Sequence, residues 1–185
     1  MTDYFALLEQ PRAPWLDPAA LKEAYHRKTL QSHPDTAAAE RPGEFAELNQ
    51  AYQVLQDPKR RLHHLLSLEN FPPSSANQTI PGELQDLFLL IGELNQRANV
   101  LREKMRTTSN ALSQSLLKPE MVATRKQVGD LREKVRGLID SANTQLREIN
   151  PSWQTHHATL TNLYTRFAYL GRWAEQLDEL AFQLS

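Results

Sequence analysis

Apolar residues in the C-terminal part of the chain recur in steps of three and four. One run carries Leu84, Leu87, Ile91, Leu94, Ala98, Leu101, Met105 and Leu112. A second, opened by Pro119, carries Val128, Leu131, Val135, Leu138, Ala142, Leu146 and Ile149. A third, after Pro151, carries Trp153, Leu160, Leu163, Phe167, Leu170, Ala174, Leu177, Ala181 and Leu184. A period of seven sustained this long predicts helices packed side by side at shallow angles. The short connections between the runs favour an antiparallel three-helix bundle over an extended dimeric coiled coil, and leave dimerisation open.

Upstream, prolines mark the joints. Pro11 and Pro14 close a short first segment. Asp17 and Pro18 supply an N-cap and first helical position for a second helix running to about Ser32, where Pro34 ends it. A third helix, starting near Pro42, places Phe45, Leu48, Tyr52 and Leu55 on one face that requires a core. Asp57 and Pro58 repeat the cap-plus-proline start, and KRRLHHLLSLEN contributes Leu62, Leu65 and Leu66 before the break from Phe71 to Ser75. Glycine is scarce and no β-branched stretch alternates with polar residues over a strand length, so the predicted class is all-α. The predicted organisation is an N-terminal helical domain over 1–70, a linker over 71–81 and the three-helix bundle over 82–185.

Composition narrows the function. Lys and Arg total 21 against 22 for Asp and Glu, so the overall balance offers no attraction to nucleic acid or an anionic membrane; either partner would need a local patch. Without cysteine there is no disulfide, thiolate metal site or cysteine nucleophile, and a reducing cytoplasm is the default. The opening MTDYFALLEQPRAPW lacks the features of a signal peptide, and no window approaches the roughly 18 apolar residues of a membrane span. The pairs His63 and His64, and His156 and His157, point about 100° apart on a helix with no carboxylate at ligand spacing, so packing or surface roles are expected rather than metal. There is no glycine-rich phosphate loop, and the acid pairs read as solvated helix faces. No enzymatic activity and no cofactor is expected.

The corner His33-Pro34-Asp35 is the distinctive feature. A given triplet arises by chance in a chain of this size on the order of one per cent of the time, and alone this one reads as a turn, with Pro restricting His33 and Asp starting the next element. Its flanks are specific: AALKEAYHRKTLQS before it and EFAELNQAYQVLQDPKRR after it. Residues 3 to 68 taken together resemble the J domain, the module by which co-chaperones engage DnaK-type heat-shock ATPases. That resemblance implies that His33, Pro34 and Asp35 dock onto the ATPase and couple ATP hydrolysis there to client capture. A proline-stiffened corner suits such docking because little ordering entropy opposes it. The resemblance also assigns Lys22 and His26, four apart on one face, with Arg27 and Lys28 beside them, to a basic surface that meets acid on the ATPase. Two positions depart from the family pattern: Lys28 stands where an apolar residue is usual, and Ser32 where an aromatic is.

The glycine/phenylalanine-rich and zinc segments of general DnaJ proteins are missing. Instead RLHHLLSLENF leads into the bundle, and the final run LYTRFAYLGRWAEQLDELAFQL resembles the last helix of HscB-type co-chaperones of iron-sulfur cluster assembly. This likeness implies an HscA-type ATPase as partner and the cluster scaffold protein as client, held by an apolar and acidic surface. The corresponding residues here are Leu87, Leu90, Ile91 and Glu93, with Tyr169 on the last helix. In LFLLI, five successive apolar residues circle most of a helix, so some must face outward; Phe88 and Leu90 either pack on the fourth helix or bind client. Two rival expectations are a J protein serving another client and a helical scaffold whose J-like half no longer stimulates an ATPase.

Overall fold

Asp57 illustrates how the helices begin. Its backbone is extended, its carboxylate accepts from the Arg60 amide at 2.7 Å, and Pro58 occupies the first helical position, where no amide donor is needed. In the computed structural model, which describes residues 2–31, 43–73 and 79–184, this logic builds seven α-helices among the described residues, with no strand. They are α1 (Tyr4–Leu7), α2 (Pro18–Gln31), α3 (Glu44–Gln56), α4 (Pro58–Leu68), α5 (Gln85–Thr107), α6 (Ala111–Ile149) and α7 (His157–Gln183). The expected all-α class holds. The corner triplet His33, Pro34 and Asp35, the neighbouring Ser32 and residues 74–78 of the expected linker lie outside the described residues.

The structure divides into two compact units that interleave along the chain. One comprises residues 1–77 and 142–167, the other 78–141 and 168–185, so α6 and α7 each contribute to both.

In the first unit, α3 packs against α1, α2 and α4. The shared core holds Phe5, Leu8, Leu21, Leu48, Ala51, Leu55, Leu62, Leu65 and Leu66, all at most 2% exposed. Phe45 does not join them. It sits in the first turn of α3, ahead of the Leu48, Ala51 and Leu55 seam, and is 55% exposed. Arg61, about which the helical spacing says nothing, is 4% exposed. Its Nε donates to the Pro14 carbonyl at 2.8 Å and its Nη1 to the Leu55 carbonyl at 2.6 Å, which ties the proline-rich loop to the end of α3. Burial pushes this guanidinium down to about 10, with Asp57 opposing the shift, so it stays charged at neutral pH. The segment 142–167 joins this unit through Trp15: its amide donates to Asn150 Oδ1 at 3.1 Å, and the Arg147 guanidinium lies 4.7 Å above its ring. Phe71 likewise stacks on His157 at 4.3 Å between centroids.

In the second unit the heptad positions pack as the period requires. Leu84, Leu87, Ile91, Val135, Leu170, Trp173 and Leu177 form one buried cluster; Leu94, Ala98, Val128, Leu180 and Leu184 form the next. The helix boundary between the first two runs differs from expectation. The break falls at residues 108–110, where Asn110 Oδ1 accepts from the Leu112 amide at 2.8 Å and starts α6. Leu112 is therefore 71% exposed and belongs to α6 rather than to the seam of α5. Pro119 lies inside α6 instead of opening it. It removes the donor to the Ser115 carbonyl, and because both residues are exposed, water can satisfy that oxygen.

Candidate functional site

The basic face of α2 is built from the helix start upward. Asp17 caps it by accepting from the Ala19 amide at 2.9 Å, and Leu21 and Ala24 bury the inner face at 2% exposure each. Tyr25 fixes the rotation: its ring stacks on Tyr52 of α3 at 4.4 Å, and its hydroxyl donates to Asn49 Oδ1. With these positions inward, Lys22 and His26 emerge one turn apart on the exposed side, with Arg27 also exposed and Lys28 partly covered.

Glu9 alters the charge of that face, and nothing in the sequence pattern marks it. It ends α1 in the left-handed region at φ 53°, a place usually taken by glycine, while the Gln10 amide donates back to the Phe5 carbonyl at 2.8 Å. This turn carries the Glu9 carboxylate to 3.1 Å from Arg27 and 2.5 Å from Lys28. The hydrogen bond from Lys28 is the main reason its carboxyl titrates below the usual range. Lys28, the departure from the family pattern, thus has an acid to answer it. Of the four basic candidates, Lys22 and His26 remain clear of this cluster.

Two further contacts brace the platform. Asp3 caps α1, accepting from the Phe5 and Ala6 amides, and pairs with Arg12 at 2.8 Å; Arg12 reaches Glu69 at the end of α4 at 3.3 Å. His64 is 4% exposed, accepts the Tyr4 amide at 3.1 Å and stacks on the Tyr4 and Phe5 rings. It is a core group, and burial holds its pKa below the ordinary imidazole value.

The client candidates separate on inspection. Leu87 and Ile91 are 3% and 2% exposed, buried against Val135, Leu170 and Trp173, so they cannot offer a surface; the seven-residue period places them on the seam. Leu90 is 45% exposed and, with exposed Glu93, lines a shallow cavity of about 260 Å³ facing Gln127, Asp130 and Leu131 of α6. Tyr169 is partly buried on the α7 side, its ring 5.7 Å from Trp173, and Phe88 stacks on Trp173 at 6.4 Å. Leu90 and Glu93 therefore share one side of α5, while Tyr169 clusters with Phe88 and Trp173. Phe88 and Leu89, exposed at 46% and 60%, extend the apolar surface beyond the residues the sequence singled out. Among the described residues, no group of three or more His, Asp or Glu is placed to hold a metal, and no helix is long and apolar enough to cross a membrane.

Comparison with known proteins bears on both halves. The DnaJ domain family matches residues 3–64. A chaperone protein DnaJ from Synechococcus elongatus is 39% identical over 64 residues, which are 34% of this chain and only 22% of that protein. A co-chaperone protein HscB homolog from Paraburkholderia phymatum is 29% identical over 149 residues, 77% of this chain and 80% of its own length. Among solved structures, the chaperone HscB from Vibrio cholerae aligns over 100% of both chains with a TM-score of 0.59 and 19% identity, a likeness of fold. The chain is thus similar to DnaJ domains over residues 3–64 and, over about three quarters of its length, to an HscB homolog, with a fold like that of a solved HscB.

Proposed function

We propose that this chain is a co-chaperone that stimulates ATP hydrolysis by a DnaK/HscA-type heat-shock ATPase and presents to it a client held on the helical bundle. The client we infer is the scaffold protein of iron-sulfur cluster assembly, and the working compartment the cytoplasm. His33, Pro34 and Asp35 form the docking corner, and Lys22 and His26, with Arg27 and Lys28 behind them, steer the approach. The chain is not an enzyme; the bond-breaking step belongs to the partner. The client surface is drawn from Leu90, Glu93 and Tyr169, joined by Phe88 and Leu89. The observation that carries the reading is that a J domain over 3–64 stands in a chain aligned over 80% of an HscB homolog's length.

Single-turnover ATP hydrolysis by the cognate ATPase tests the first half. Wild type accelerates it, and His33→Gln returns it to background. Retention of the purified scaffold protein on immobilised full-length chain tests the second. If the scaffold protein is not retained while ATPase stimulation persists, the chain is a J protein for another client. The pairing of Glu9 with Arg27 and Lys28 favours a second reading, a helical scaffold whose J-like half no longer stimulates an ATPase, because it offsets one of the three formal positive charges on the basic face. Equal background rates for wild type and His33→Gln would establish that reading.

A further inference from the structure

Along α7, Leu170, Trp173 and Leu177 pack on Leu84, Leu87, Ile91 and Val135, and then Leu180 and Leu184 pack on Leu94, Ala98 and Val128. The α5–α6 hairpin runs on past these positions, to Thr107 and back from Ala111. Where the α7 seam stops, a cavity of about 840 Å³ opens between the two hairpin helices, with Gln183 and Leu184 at one end. Met105, Met121 and Val122 give it an apolar lining, and Arg102, Arg106, Lys118 and Arg125 surround them with a single acid, Glu103.

The local charge departs sharply from that of the whole chain. From Arg97 to Lys126 there are seven basic residues and two acidic ones, while the full chain carries a net −1. Arg102 is held at the rim by donating to Gln183 Oε1 at 2.6 Å, and Arg106 pairs with Glu103 at 2.7 Å. Among the described residues, Lys118 and Arg125 have no ion pair.

We propose that this groove docks an acidic amphipathic helix of a partner protein, laid along the continuation of the α7 track. Three features fix that choice of occupant. The groove lies between α5 and α6 and adjoins Gln183 and Leu184 at the end of the seam on which α7 packs. Its methionines are adaptable side chains suited to receiving varied apolar anchors. Its cations outnumber its acid four to one, which selects a negative polar face and opposes a basic one. A bilayer fits less well, because the two methionines that line the concavity are partly buried among its cations.

The test uses two fluorescein-labelled synthetic helices with identical leucines at i, i+3, i+4 and i+7. One carries glutamate at the remaining positions and the other lysine, and each is titrated with the full-length chain by fluorescence anisotropy. The glutamate helix is expected to bind with an affinity that falls as salt rises, and the lysine helix to bind at least about tenfold more weakly. Arg102→Glu with Arg125→Glu is expected to weaken the glutamate helix about tenfold with an unchanged circular dichroism melt; Val122→Asp, at a 63% exposed position, removes the apolar contribution separately. Equal binding of the two helices, or indifference to the charge reversal, overturns the proposal. So does a self-associated chain that the glutamate helix fails to dissociate, or pelleting with phosphatidylserine vesicles that this helix fails to compete away.

Discussion

The Glu9 carboxylate accepts from the Lys28 ammonium at 2.5 Å, across the loop between α1 and α2, at a position where the J-domain pattern has an apolar side chain. Both groups reach solvent, so the pair adds little to stability. Its larger effect is on the field of the basic face, because it offsets charge beside Lys22 and His26. Replacing Glu9 by Gln is expected to raise the rate of association with an acidic ATPase surface on the order of threefold at low ionic strength, the difference vanishing at high salt. Stopped-flow binding across a salt series measures this. An unchanged or slower rate at low salt would mean that Arg27 and Lys28 do not face the partner.

Arg61 is expected to be the most sensitive charged residue in the first unit. Its two donors satisfy the Pro14 and Leu55 carbonyls inside the protein, and a methionine there would fill the volume while leaving both oxygens without a donor. An unsatisfied buried acceptor costs about 1–3 kcal/mol, so Arg61→Met is expected to lower stability by about 3 kcal/mol. Arg61→Lys is expected to lose less, since an ammonium keeps the charge but lacks the planar fork that reaches both sites. Urea unfolding reads both as a reduced midpoint with an unchanged slope.

The contrast between Arg61 and the leucines around it explains what the sequence made legible. Leu62, Leu65 and Leu66 fall at helical spacing and were expected in the core, where they are 0% exposed. The period of seven likewise located the Leu84-to-Leu101 and Leu170-to-Leu184 seams. Arg61 was missed because its burial depends on two carbonyls supplied by distant loops, which local pattern does not encode. Pro119 misled for the opposite reason. Proline is a strong local signal for a helix start, but here the helix runs through the exposed Pro119, and the Asn110 cap nine residues upstream sets the boundary. At the candidate site, the α2 face was readable from spacing, while the Glu9 partner was not, since a left-handed non-glycine residue leaves no mark in composition.

Acid sensitivity of the first unit is expected to begin at His64. In the folded chain its pKa lies below the 6.5 of a free imidazole because burial disfavours the cation. The unfolded state therefore binds more protons as pH drops past 6.5, and stability falls with pH until the folded-state pKa is reached. Asp3 acts in a separate window: burial alone would raise its carboxyl, but Arg12 and the Ala6 and Phe5 amides together outweigh that and hold it below 3.8, so its contribution is present above 3.8 and is lost below it. His64→Gln keeps an acceptor for the Tyr4 amide and is expected to flatten the part of the stability profile just below pH 6.5 while leaving the loss in the carboxylate range. Thermal melts at closely spaced pH values resolve the two windows, and a wild-type profile already flat in the upper one would contradict the assignment.

Leu87 and Leu90, three positions apart on α5, are expected to separate folding from client binding. Leu87 is 3% exposed within the Val135, Leu170 and Trp173 cluster, so Leu87→Ala opens a cavity and is expected to cost about 2–5 kcal/mol. Leu90 is 45% exposed, and Leu90→Asp is expected to change stability by less than about 1 kcal/mol. If the exposed apolar side of α5 holds the client, the scaffold protein's affinity falls at least about tenfold for Leu90→Asp, consistent with loss of an anchoring residue, while Leu87→Ala binds normally below its melting temperature. Calorimetric titration of both variants with the scaffold protein checks this. Normal affinity for Leu90→Asp together with a loss for Tyr169→Ala would move the client site to the cluster of Tyr169, Trp173 and Phe88.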